Sequence, residues 1–396
     1  MVHLASAILL AGSALAMPAR EIFERQAACS APASVAAVST SKLPDPFTSA
    51  SGKKITTKAD FECRKREISK AFQQYELGEL PPAPESVKAT VTATGISVVV
   101  SNGGKSVTIS ATIRKPAAGG AGPLPAIIAV GGSSLPVPAG VATINFGNDA
   151  CAAQSGSSSR GKGLFYDLFG SGHSAGALTA WAWCVGRIID GLEQVGAASS
   201  GIDTKRLGVT GCSRNGKGAF IIGAFNDRIA LTLPQESGSG GAACWRISDQ
   251  QKSAGKNIQT AGQIVGENVW FSKNLNTYTS KVTTIPEDHH MLAALVAPRG
   301  LYVIENDIDW LGPVSTTGCM KAGRLIYKAL GVPTAMGFSL VGGHSHCQFP
   351  SSQQTELTSY INKYLLGTGP DPPAIEKSTA SVAADAWADW QVPTLT

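Results

Sequence analysis

Residues 206–225 read RLGVTGCSRNGKGAFIIGAF: a short β-rich run, a turn crowded with small residues, then small and apolar residues suited to a packed helix. A strand that breaks sharply into a helix sets the residue at the break on a strained turn, with the helix N-terminus facing it. Ser213 occupies that break, which predicts a nucleophile elbow and, with it, an α/β-hydrolase sheet. The segment departs from the strict G-x-S-x-G pattern, because Asn215 stands at the second glycine position and Gly216 comes one residue later. The strict pattern occurs upstream, at Gly172-His173-Ser174-Ala175-Gly176. There the preceding run, LFYDLFGSG, is a poor strand broken by glycines, and Ser174 stands where the N-cap of a Trp-rich helix belongs. Ser213 is the candidate nucleophile and Ser174 a helix cap.

Working outward, the continuous apolar runs PAIIAV (125–130) and GVATINF (140–146) suit buried parallel strands. A long helix follows over 177–195, and then strand and helix candidates alternate through IALTL, GLYVIE, AGRLIYKAL and AMGFSLV to a final helix near 352–366. On the N-terminal side, ISVVV and SVTISATI flank Asn102-Gly103-Gly104, the signature of an antiparallel hairpin. The expected fold is a three-layer αβα sandwich with a mostly parallel central sheet and an antiparallel N-terminal hairpin. The catalytic domain is expected over 26–366, entered through a polar, Pro-rich lead-in with a helix around 60–76. The tail over 367–396 is linker-like, but its Trp387 and Trp390 predict that it docks back on the domain.

Composition narrows the class. At 43% hydrophobic and 15% charged over 396 residues the chain is too apolar for disorder, and 44 glycines rule out a coiled coil. A balance of 33 basic against 28 acidic residues, without a dense Lys/Arg run, gives no grip on a phosphate backbone, so nucleic acid is not an expected partner. Residues 4–16 form an apolar stretch ending in Ala14-Leu15-Ala16, shorter than the roughly 20 residues a membrane span needs. They read as a signal peptide over 1–16, followed by a short pro-segment over 17–25 that ends at Arg25. The product is expected outside the cell, off the membrane, and monomeric. Eight cysteines without a CxxC pair then read as disulfides rather than a metal site.

A hydrolase of this fold takes its acid and then its histidine from loops after later strands. His3 falls in the signal, His173 lies upstream of the elbow, and His289 and His290 open a helix, where capping or packing accounts for them. His344 and His346 remain, in GGHSHC directly after MGFSLV. Cys212 precedes Ser213 and Cys347 follows His346, so a bridge between them would bring serine and imidazole to the separation proton transfer needs. That favours His346. Chain position places the acid at Asp307 or Asp309, after GLYVIE. Cys184 lies within the Trp-rich helix and reads as a buried free thiol; no partner is assigned to it or to Cys151.

GCSRNGKGA (211–219), PQESGSGG (234–241), GENVW (266–270), EDHHMLAALVAPRGL (287–301) and GGHSHC (342–347) together resemble the fungal glucuronoyl esterases, carbohydrate esterase family fifteen. The resemblance implies an α/β hydrolase without metal or diffusible cofactor. It implies cleavage of the ester between 4-O-methyl-glucuronic acid of glucuronoxylan and lignin alcohols. It moves the acid to Glu236, in PQESG, against the positional candidates. It adds the Arg214 side chain to that residue's backbone N–H as an oxyanion donor. Lys217 stands one helical turn beyond Ser213 and can project into the same cleft; the resemblance joins it with Gln259, Glu267 and Trp310 in binding the sugar acid. It also pairs Cys29 with Cys63 and Cys244 with Cys319. The rival readings are an acetyl xylan or feruloyl esterase and, from another class, a non-catalytic polysaccharide-binding protein.

Overall fold

The structure is a computed structural model that describes residues 29–117 and 122–396. The segments read as signal and pro-segment lie outside the described residues. Ten strands form one sheet in the order β1-β2-β3-β5-β4-β6-β7-β8-β9-β10. From β5 (Ala142–Phe146) through β4 (Leu124–Val130), β6 (Ile202–Cys212), β7 (Ile229–Gln235), β8 (Gly300–Glu305), β9 (Met336–Leu340) and β10 (Glu376–Lys377), all neighbours are parallel. Antiparallel pairing is confined to the N-terminal side, where β1 (Ser86–Thr92), β2 (Gly95–Asn102) and β3 (Lys105–Arg114) lead into β5. The β2–β3 turn is closed by Gly103 and Gly104 at φ +57° and +73°, the doubly positive backbone that a two-residue hairpin turn demands.

Both faces of the sheet are covered. Successive residues of a strand point to opposite faces, and in β4 Ile127 and Ile128 fall in two separate apolar clusters. The larger cluster joins the helices Ala177–Ser200, Arg214–Phe225, His290–Val296 and Pro313–Ala329 to one face. The smaller sets Leu231, Leu233, Tyr302 and Ile304 against Leu357, Tyr360, Ile361 and Leu365 of the helix Gln354–Ile361 and the π turn that ends it. This is the sandwich expected of an α/β hydrolase.

Several local expectations change. Strand β1 falls just before the apolar runs; its residues alternate between half-buried and exposed, so it reads as polar lead-in. LFYDLF, doubted as a strand, is the helix Leu164–Phe169, so no strand leads into the strict motif. Ser174 does not cap the Trp-rich helix, which begins at Ala177 after Gly176. The first amides of that helix are satisfied instead by backbone: Ala177 N–H donates to Val269 O at 3.0 Å and Leu178 N–H to Trp270 O at 3.1 Å. The Ser174 hydroxyl accepts from Glu79 N–H at 3.0 Å. Cys184 is not a free thiol: it is bridged to Cys151, whose short helix Asn148–Cys151 packs against the Trp-rich helix and brings the two Cα atoms to 6.5 Å. The remaining bridges join Cys29 to Cys63, Cys212 to Cys347 and Cys244 to Cys319.

At the C-terminal end, Trp390 packs on Phe47 at 5.5 Å between ring centroids and donates its indole N–H to Leu43 O at 3.2 Å. Leu395 N–H donates to Ala329 O at 3.0 Å. No helix among the described residues is long and apolar enough to cross a membrane.

Candidate active site

Ser213 stands between the end of β6 and the helix Arg214–Phe225 with φ +61° and ψ −128°, outside the regions a non-glycine residue favours. Its N–H donates to Gln235 O at 2.9 Å, tying the elbow to the end of β7. Two glycines permit this. A Cβ on Gly211 would lie 2.4 Å from Asn215 O, and one on Gly216 would lie 2.4 Å from Gln235 O. The close approach that demands glycine thus falls at 216, while Asn215 is placed to accept from Asn148 Nδ2 at 3.1 Å. Arg214 is the first helical residue, so its N–H has no partner within the helix and lies beside Ser213.

Across the site, the Cys212–Cys347 bridge holds its Cα atoms 5.8 Å apart and fixes the loop after β9 against the elbow. His346 Nδ1 lies 2.7 Å from Glu236 Oε2, and the same oxygen accepts Cys347 N–H at 2.9 Å. The other ring nitrogen, Nε2, is buried and has no hydrogen-bond partner among the described residues. Glu236 is fully buried, directly after β7, at φ +44°. Asp307 and Asp309 make no hydrogen bond to His346 among the described residues, and the Asp307 carboxylate lies against Gly342. The positional expectation for the acid therefore gives way to Glu236 as the imidazole's partner. His344 has other partners: Nε2 is 2.8 Å from Val341 O, and Nδ1 faces Asn306 Nδ2 at 3.2 Å, with Glu236 Oε1 farther off at 3.8 Å.

The candidate sugar-binding residues connect to the same site by direct contacts. Trp310 stands edge-on to His346 with centroids 4.9 Å apart, and its carbonyl accepts Gln259 N–H at 3.3 Å. Gln259 Nε2 donates to Glu267 Oε2 at 3.0 Å. Lys217 is 4% exposed, with its Nζ donating to Ser237 O. Burial pushes the Lys217 ammonium down to about 8, against the opposing pull of Glu305 and Glu267. Arg214 and Lys217 both lie over the buried Trp270 ring, at 5.9 and 5.8 Å from its centroid.

Three residues of this arrangement escape the sequence reading. Trp270 is a floor beneath the two cations, pinned through its indole N–H to Gln154 Oε1 at 2.9 Å. Asn306 Nδ2 reaches Glu236 Oε2 at 3.4 Å and His344 O at 3.2 Å. Glu305, at the end of β8, is buried beside the Glu236 turn. Trp270 lies in GENVW, the one signal that points to it; a polar residue at a strand end is otherwise too common to single out Glu305 or Asn306. Among the described residues, the only cluster of metal-ligand types is Cys212, His346 and Cys347, and its two sulfurs are consumed in the bridge.

The sheet, the elbow and the imidazole–carboxylate pair are those of an α/β hydrolase. Residues 98–331 match the family model described as glucuronyl esterase, fungi. The 4-O-methyl-glucuronoyl methylesterase of Thermothelomyces thermophilus is 65% identical over 98% of each chain. That of Neurospora crassa is 65% identical over 100% of each. Among solved structures, a glucuronoyl esterase mutant from Sporotrichum thermophile in complex with methyl 4-O-methyl-β-D-glucopyranuronate is 65% identical. It superposes with a TM-score of 0.91, covering 93% of this chain and 100% of that one. The Hypocrea jecorina glucuronoyl esterase catalytic domain is 54% identical with a TM-score of 0.89, covering 92% and 100%. This chain belongs to the fungal glucuronyl esterase family, and it is a carboxylic ester hydrolase.

Proposed function

We propose that the protein hydrolyses the ester joining 4-O-methyl-D-glucuronic acid side groups of glucuronoxylan to lignin alcohols, with Ser213, His346 and Glu236 as its triad. The observation that carries this reading is the Glu236–His346 pair at 2.7 Å on a loop bridged to the elbow beside Ser213. His346 Nε2 takes the Ser213 proton, and the alkoxide attacks the uronic carbonyl. Glu236 keeps the proton on Nδ1 and stabilises the imidazolium. The tetrahedral oxyanion meets the Arg214 N–H and guanidinium, donors whose individual loss typically costs about 10²- to 10³-fold in turnover. The lignin alcohol leaves with the proton returned by His346. Water then attacks the glucuronoyl-enzyme by the same route and frees the acid.

Lys217, Gln259 and Glu267 meet the sugar hydroxyls, and Trp310 covers a sugar face. A leader over 1–16, a pro-segment over 17–25 and release outside the cell complete the reading, and four disulfides suit that compartment. Hydrolysis of benzyl glucuronate, p-nitrophenyl acetate and methyl ferulate tests it. The glucuronate ester is expected to be turned over best by at least about 10²-fold in kcat/KM, a discrimination that polar sugar contacts can supply. Preference for acetate or ferulate would contradict it.

A further inference from the structure

Glu305 closes β8 with a carboxyl group that is 1% exposed. One of its oxygens, Oε1, takes three donors from a single turn: Ser237 N–H at 2.8 Å, Ser237 Oγ at 2.9 Å and Gly238 N–H at 3.4 Å. Its other oxygen, Oε2, is buried without a hydrogen-bond partner among the described residues. The turn it grips starts at Glu236, whose backbone is held at φ +44°, and Glu236 N–H donates to Ile304 O at 2.7 Å. A non-glycine residue at positive φ persists only where its surroundings over-determine it. Here the last two residues of β8 supply the clamp.

The same group reaches two further parts of the site. Ser237, fixed by Glu305, offers its carbonyl to Lys217 Nζ. The Glu305 carbonyl accepts Val341 N–H at 3.1 Å, where the loop carrying His344 and His346 departs from the sheet.

We propose that Glu305 is a positioning residue of the reaction, whose buried carboxyl sets the turn bearing Glu236 and the seat of Lys217 together, so that triad acid and sugar-binding amine are held in register. The inference rests on the triad and sugar contacts of the proposed function. Glu305 touches neither substrate nor the reacting atoms.

Burial and the groups around it bear on its protonation. Lys217 faces it from the helix after the elbow, Glu236 from the end of β7, and His344 and His346 approach Glu236 from the loop after β9. Arg214 and Glu267 act on Lys217. Burial pushes the carboxyl up to about 7, with Glu236 adding to the rise and the Ser237 and Gly238 donors opposing it. Around neutrality the group thus passes between a neutral acid and an anion.

Glutamine is the isostere of the neutral form and can accept the same three donors. The test measures kcat, KM and their pH dependence on benzyl glucuronate for wild type, Glu305→Gln, Glu305→Asp and Ser213→Ala, with Tm alongside. Glu305→Gln is expected to keep kcat within about threefold at pH 6, where the wild-type group is mostly neutral, and to lose the change in kcat and KM that its ionisation brings above pH 7. Glu305→Asp, one methylene too short to hold the turn, is expected to lose about 10²-fold in kcat and to raise KM, the scale of a 1 Å misplacement.

Wild-type kcat, KM and pH profile in both Glu305 variants, with only Tm lowered, would overturn the inference. Should Glu305→Asp fail to fold, the profile of Glu305→Gln above pH 7 decides alone: a profile that departs from wild type there supports the inference and one that matches it rejects it. Ser213→Ala separates the two levels, because turnover surviving in that variant removes the triad itself. An inactive Ser213→Ala beside indifferent Glu305 variants removes only the role of Glu305.

Discussion

Glu236 Oε2 lies 2.7 Å from His346 Nδ1 and accepts Cys347 N–H at 2.9 Å, so one carboxylate oxygen orients the imidazole and anchors the loop that carries it. Replacing it with an amide presents either a second donor or a weaker acceptor to Nδ1 and destabilises the imidazolium. Glu236→Gln is expected to lower kcat on a glucuronate ester by about 10³- to 10⁴-fold, the scale of an acid-to-amide change in a serine triad. Asp307→Asn is expected to stay within about threefold, because its exposed carboxylate makes no bond to the imidazole. The reverse ranking would return the acid to Asp307.

The Cys212–Cys347 bridge closes a loop of 135 residues beside the elbow. In the chain-entropy account a loop of that size contributes about 4 to 5 kcal/mol. The double variant Cys212→Ala, Cys347→Ala is expected to lose stability of that order in denaturant unfolding. Its kcat is expected to fall about 10²-fold, since the imidazole is no longer clipped to the serine. The double variant Cys29→Ala, Cys63→Ala is expected to lose stability while its kcat is unchanged. Equal effects of the two on kcat would deny the first bridge its catalytic placement.

Lys217, proposed to bind the sugar acid, is 4% exposed, and burial lowers its proton affinity to about 8. Above that pH it loses a donor, so KM for a glucuronate ester is expected to rise as pH passes 8, while KM for p-nitrophenyl acetate stays flat. The stability sign follows from linkage. Between about 8 and 10.5 the unfolded chain holds the proton that the folded chain has released, so this group makes stability rise with pH across that window. Below 8 both states are protonated and its unfavourable burial is felt in full. Lys217→Met is expected to flatten the slope between 8 and 10.5; an unchanged slope would place the burial cost elsewhere.

The two serine motifs make opposite predictions. A methyl group on Gly216 would strike the Gln235 carbonyl at 2.4 Å, whereas one on Gly172 would meet nothing within 4 Å. Gly216→Ala is expected to cost about 1 to 3 kcal/mol by overpacking and to lower turnover by shifting the elbow. Gly172→Ala is expected to be silent. Ser174→Ala is expected to cost about 1 kcal/mol through its bond to Glu79 N–H, with kcat unchanged. A fall in kcat for Ser174→Ala would revive the strict motif.

The elbow was legible because strand, turn and helix are contiguous, so local composition carries the geometry. His346 was legible because cysteines flank both loops, which turned a long-range contact into a sequence signal. Glu236 was not legible from position, since the carboxylate that partners the imidazole stands after β7 rather than β8, and only family resemblance pointed there. Cys151 and Cys184 could not be paired in sequence, because their meeting depends on how a four-residue helix packs against the Trp-rich helix. Trp270 was signalled only by GENVW; Glu305 and Asn306 meet the site through tertiary neighbours, and a polar residue at a strand end is too common to single them out. The cap assigned to Ser174 failed for a related reason: backbone from residues 269 and 270, distant in the chain, had already satisfied the helix amides.

In the proposed reaction the Ser213 hydroxyl is the nucleophile, served by His346. Product analysis on benzyl glucuronate, comparing wild type with Ser213→Ala at equal folded concentration, tests it most directly. Release of glucuronic acid by the wild type, with the variant at least about 10⁴-fold slower, is the predicted result. Comparable release by Ser213→Ala would contradict it.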